Sequence, residues 1–142
     1  MQEFRYAGAP ATQRRILVID DEPSVAMLIR DVLQRRGFDV LTHEGGEEAL
    51  ELAARGDIDL VVSDFAIPGL NGLEFARRYR TVRPDVQVLI VSAFLDGETE
   101  DALAAQPNVV GLIRKPFDIF ELLREVERVF GDREGEAEQV GL

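Results

Sequence analysis

The 142-residue chain has no cysteine, no tryptophan and one histidine. Without cysteine it can form neither disulfides nor thiolate metal sites, which fits a reducing compartment, and the expected location is cytoplasmic. No apolar run approaches the roughly 18 residues of a membrane span, so no membrane insertion is expected. Residues 1–11 also lack the apolar core and small-residue cleavage site of a secretory signal. Basic residues are scarce: 16 Lys and Arg against 27 Asp and Glu give a net charge of −11. That balance argues against nucleic acid as a direct partner, because phosphate backbones attract the opposite sign. What remains is a chain that is 46% apolar and long enough for one core.

The apolar residues alternate between two patterns. Ile16–Ile19, Phe38–Thr42, Leu60–Ser63, Val86–Val91 and Val109–Ile113 are short, nearly continuous runs that read as buried strands. Between and after them, Val25–Arg36, Glu47–Arg55, Leu73–Thr81, Glu98–Gln106 and Asp118–Phe130 show helical spacing. Met27, Leu28, Val32 and Leu33 are the expected buried stripe of the first helix. In the last, Phe120, Leu123 and Val126 or Glu127 mark successive turns. Five strands alternating with five helices predict an α/β fold, a (βα)5 doubly wound parallel five-stranded sheet. Residues 1–13 read as a flexible leader, 14–130 as the domain and 131–142 as an acidic disordered tail.

In an open parallel sheet, ligands bind beyond the carboxyl ends of the strands. Strand one ends in Asp20-Asp21, strand three in Asp64, strand four in Ser92 and strand five in Lys115. Crowded carboxylates favour a hard divalent cation, and Mg2+ suits a site with few carboxylates, retained waters and a phosphate ligand. Lys115 and Ser92 supply a charge and a hydroxyl for phosphoryl oxygens, and Asp64 is the candidate nucleophile. Singly, Asp20-Asp21 read equally well as solvated loop carboxylates and Asp64 as a turn cap, while Ser92 is more often a cap or turn residue and Lys115 a surface lysine. His43, the sole histidine, is assigned no role.

Together, Ile19-Asp20-Asp21-Glu22, Ser63-Asp64 followed by Pro68-Gly69 and Gly72, Ser92-Ala93 and Lys115-Pro116-Phe117 resemble the receiver domain of bacterial two-component response regulators. The resemblance covers about residues 14 to 130 and implies the flavodoxin-like strand order 2-1-3-4-5. It implies that Asp64 takes a phosphoryl group from a histidine kinase or histidine phosphotransfer protein, as in a phosphorelay. Mg2+ would be held by Asp20, Asp21, Asp64 and the Ala66 carbonyl. Ser92 would move toward the phosphoryl group, Lys115 would bridge it to the acids, and Pro116 would follow a cis bond. The helix4-strand5-helix5 face would then control a downstream protein or a homodimer.

The chain departs from the family pattern at Leu112, where an aromatic residue is usual, and at Asn108, where glycine is usual and a left-handed turn is still accessible to asparagine. Ala66 and Phe94 occupy positions that tune access of hydrolytic water, and a bulky Phe94 implies a long-lived phosphoryl group. An aspartyl phosphatase would need an acid two residues after the nucleophile; Ala66 stands there and cannot transfer protons. The expectation is therefore a switch that turns over only its own phosphoryl group and no external substrate. It reads as a single-domain regulator, with a receiver taken from a hybrid histidine kinase or longer regulator, or a phosphate-independent binding module, as alternatives.

Overall fold

A computed structural model describes residues 13–93 and 95–141, with side chains described as far as Gly131. Residues 1–12 of the leader, Phe94 and Leu142 lie outside the described residues. Strands β1 (Arg15–Ile19), β2 (Asp39–His43), β3 (Leu60–Asp64), β4 (Gln87–Ser92) and β5 (Val109–Arg114) form one sheet. Its order is β2-β1-β3-β4-β5, and every pairing is parallel. The helices are α1 (Pro23–Arg35), α2 (Gly46–Arg55), α3 (Gly72–Val82), α4 (Gly97–Ala104) and α5 (Ile119–Gly141).

Strand alternation divides the core into two layers. Ile16 and Val18 of β1 face α1 and α5, where Ile29, Leu33, Leu122, Val126 and Phe130 close over them. Leu17 and Ile19 face the opposite side, against Ala49, Leu50, Phe75, Tyr79 and Leu103 of α2, α3 and α4. Burial on both faces explains why the strands carry continuous rather than alternating apolar runs. Two helix starts are fixed by side chains. Asn71 accepts the Glu74 N–H at 2.9 Å, and Asp96 accepts the Thr99 N–H at 2.7 Å.

Some local expectations need correcting. Met27 and Leu28 are about half exposed, at 49% and 53%. The buried face of α1 runs instead through Ala26, Ile29 and Leu33, which keep the i, i+3, i+7 phase that Met27 and Leu28 leave. Phe120 is 58% exposed, while Leu122, Leu123, Val126, Val129 and Phe130 fill the α5 layer. The helix α5 continues past Gly131 to Gly141. That stretch has no proline and is rich in Glu, with Ala, Gln and Arg, all good helix formers.

Asn108 does not take a left-handed turn, since only glycines have positive φ among the described residues. Its side chain is buried, and Nδ2 donates to the Ala76 carbonyl at 3.0 Å, tying the start of β5 to α3. One extra residue, Val110, bulges from β5, because Val88 pairs with Val109 and Leu89 with Gly111.

Candidate functional site

All strand ends named from the sequence reach one edge of the sheet. Asp20 follows β1 and is 4% exposed. Its N–H donates to the His43 carbonyl at 3.0 Å, and its Oδ1 accepts the Glu22 N–H at 2.9 Å. Asp64 is the last residue of β3, and its Oδ1 accepts the Ala66 N–H at 3.3 Å. Lys115 arrives from the end of β5, where its N–H donates to the Ser92 carbonyl at 2.6 Å. Its Nζ lies 3.0 Å from Asp64 Oδ2 and 3.4 Å from Asp20 Oδ2. The Lys115-Pro116 peptide bond is cis.

The electrostatics of the pocket are opposed. Burial pushes the Asp20 carboxyl above its ordinary value and the Asp64 charge adds to this, while the Glu22 N–H and Lys115 pull it back. Burial acts against the Lys115 ammonium, but its hydrogen bonds and attraction to Asp64 and Asp20 outweigh that and raise it. Lys115 therefore stays protonated beside two acids.

Asp20, Asp21 and Asp64 offer carboxylate oxygens within 4.8 Å of one another, the only such convergence of potential metal-ligating side chains among the described residues. The donor set is all oxygen and grades from buried Asp20 to exposed Asp21. An octahedral magnesium ion has ligands at about 2.1 Å and keeps several waters. All three side chains offer the hard carboxylate oxygens such an ion takes, and the exposed side at Asp21 leaves room for its waters, so the donor set fits magnesium.

Ser92 ends β4 one step beyond Val91, the register partner of Asp64, and is buried at 4% exposure. Ala66 is exposed beside Asp64. Leu112 pairs with Ile90 and packs, partly buried, on the α3 and α4 side. Two residues on, the Arg114 guanidinium reaches Glu100 of α4 at 2.5 Å, an ion pair that residue type alone does not reveal. An open, mainly apolar depression of about 480 Å³ lies beside Lys115, lined in part by Val25, Leu28, Ala93, Phe117 and Ile119.

A doubly wound parallel sheet with an acidic pocket and a lysine at its carboxyl edge defines a flavodoxin-like α/β domain. Within that class, residues 16–127 match the family model described as the response regulator receiver domain. The chain belongs to that family. It is 34% identical over 116 residues to the alkaline phosphatase synthesis transcriptional regulatory protein PhoP of Bacillus subtilis, a match covering 82% of this chain and 48% of PhoP. It is 28% identical to sporulation initiation phosphotransferase F of the same organism, covering 80% of this chain and 91% of that protein. The chain thus spans about half the length of several curated relatives it matches. The response regulator TrrA of Thermotoga maritima, solved in complex with Mg(2+)-BeF, superposes with a TM-score of 0.72 at 34% identity, covering 82% of this chain and 98% of that one. Among the described residues, no helix is long and apolar enough to cross a membrane.

Proposed function

We propose that this receiver accepts a phosphoryl group on Asp64 and, in doing so, switches its α4-β5-α5 face. The observation that carries the reading is the Lys115 ammonium, which bridges Asp64 at 3.0 Å and Asp20 at 3.4 Å while Asp21 completes a three-carboxylate cluster. Asp20, Asp21 and Asp64, with the Ala66 carbonyl, would hold Mg2+. When bound, the ion supplies positive charge against the acids and the phosphoryl oxygens.

An Asp64 carboxylate oxygen attacks the phosphorus of a phosphohistidine donor. The P–N bond breaks, an acyl phosphate forms, and the departing imidazole takes up a proton. Lys115 faces the charge that spreads over the phosphoryl oxygens, and Ser92 offers a hydroxyl donor to another of them. Ala66 leaves no side-chain acid two residues after Asp64, which supports a slowly cleared phosphoryl group and no turnover of external substrates.

The donor is a histidine kinase or phosphotransfer protein. The apolar depression beside Lys115, with Leu28 53% exposed on its rim, supports docking of a protein there. Output passes from Ser92 through β5 and the Arg114–Glu100 pair to a protein partner or a second copy, within the cytoplasm. Leu112, in place of a rotating aromatic, favours a second reading in which the domain binds its partner without phosphate.

Beryllofluoride with magnesium separates the two. Amide shifts spreading from Ser92 to α4 and β5, lost in Asp64→Asn, support the switch; a spectrum that stays unchanged supports the static module.

A further inference from the structure

His43 ends β2 beside the acidic pocket, and both of its polar ends are engaged. Its carbonyl accepts the Asp20 N–H at 3.0 Å, extending the ladder one step beyond the Ile19–His43 pair. Its imidazole Nδ1 accepts the Gly45 N–H, also at 3.0 Å. The side chain is 27% exposed, so this bond is largely sheltered from water. A neutral imidazole that accepts at Nδ1 carries its proton on Nε2, which here faces Glu48 at 4.0 Å.

Gly45 has φ 130 and ψ −168, a conformation side chains rarely adopt. A Cβ on Gly45 would stand 3.0 Å from Ile67 Cβ and 3.2 Å from Pro68 Cδ. The backbone at Gly45 is therefore pressed directly against the loop that follows Asp64. Ile67 is the next residue after Ala66, whose N–H holds Asp64 Oδ1. One histidine thus touches both sides of the pocket, Asp20 through its carbonyl and the Asp64 loop through Gly45.

We infer that His43 is a positioning residue for the acidic pocket: its imidazole seats Gly45 against Ile67 and Pro68 and so fixes the loop bearing Ala66 beside Asp64. The inference rests on the proposed magnesium and phosphoryl site and names a residue that supports it. Two substitutions separate the acceptor from the bulk of the ring. His43→Phe keeps an aromatic ring and loses the acceptor. His43→Asn places a carbonyl oxygen as many bonds from the backbone as Nδ1, where asparagine accepts the N–H two residues on.

The test compares the full chain and both variants by amide NMR without metal, then by calorimetric titration with magnesium chloride. In His43→Phe the Ala66 and Ile67 amides move, and in His43→Asn they return toward their original positions. Magnesium affinity falls about tenfold in His43→Phe and stays within about twofold in His43→Asn, the scale on which outer support acts at metal sites. Unmoved Ala66 and Ile67 amides with unchanged magnesium affinity in a folded His43→Phe overturn the inference. If the unsubstituted chain itself binds no magnesium, the site reading fails, while the metal-free amide shifts still decide the role of His43. Should His43→Phe not fold, Gly45→Ala keeps the imidazole and crowds the same contact; Ala66 and Ile67 amides unmoved there overturn the inference too.

Discussion

Lys115 Nζ stands 3.0 Å from the Asp64 carboxylate and 3.4 Å from that of Asp20, so one ammonium serves two acids that arrive on different strands. The lysine is a counter-ion for the metal-free pocket and, in the proposed function, the group that meets the phosphoryl oxygens. Lys115→Met separates these roles. It removes a fixed cation from beside two carboxylates, so magnesium binds at least as tightly as before. Phosphoryl uptake falls by about 100-fold or more, the scale of losing one donor to a developing oxyanion. Calorimetry and acetyl phosphate labelling read the two effects independently.

Asp20 gives the pocket a pH dependence whose sign follows from its raised titration. Folding favours the protonated carboxyl, so the fold takes up a proton between the ordinary value of 3.8 and the raised one. The ionised group is therefore a cost to the metal-free fold above that window, and the cost disappears below it. Metal-free Asp20→Asn resists urea better than the unsubstituted chain at pH 7, and the difference shrinks as the pH falls through the window. Magnesium affinity of the unsubstituted chain declines over the same range, because the ion competes with a proton for Asp20. Urea titrations and calorimetry across a pH series measure both.

Leu28 tests donor docking without touching the chemistry. Leu28→Asp places a charge in the apolar depression beside Lys115 while leaving the acids and the lysine intact. Transfer from a protein phosphohistidine donor drops about tenfold or more, as expected when an apolar contact residue of an interface is lost. Uptake from acetyl phosphate is unchanged. Equal loss with both donors would place the effect in the site rather than in docking.

Tyr79 is a purely structural control. It is fully buried, and its hydroxyl donates to the Ala53 carbonyl at 3.0 Å, joining α3 to α2. Burial pushes its phenol up to about 12. Tyr79→Phe lowers stability by about 1 kcal/mol, the usual net worth of one such bond, and leaves magnesium binding alone. Urea unfolding checks the first effect and calorimetry the second.

The layout of the sheet was legible because strands buried on both faces must carry unbroken apolar runs, as Leu60–Ser63 and Val86–Val91 do. The pocket was legible for a related reason: the rule that ligands sit at carboxyl edges gathers Asp20, Asp64, Ser92 and Lys115 once the strands are known. What failed was phase and proximity. Met27 and Leu28 are as apolar as their buried neighbours, and only the direction of the core tells them apart. His43 offered no motif, since its part depends on how closely Gly45 approaches Ile67, a distance between loops that no local pattern encodes. The Arg114–Glu100 pair is hidden for the same reason.

The most direct test of the central claim is to incubate the chain with a phosphorylated donor or acetyl phosphate, with and without magnesium, and locate the label by intact-mass and peptide analysis. One phosphoryl group, labile to alkali and to hydroxylamine as an acyl phosphate is and a phosphate ester is not, is expected on Asp64, with magnesium required and Asp64→Asn unlabelled. Labelling that persists in Asp64→Asn, or that forms equally well without magnesium, would contradict it.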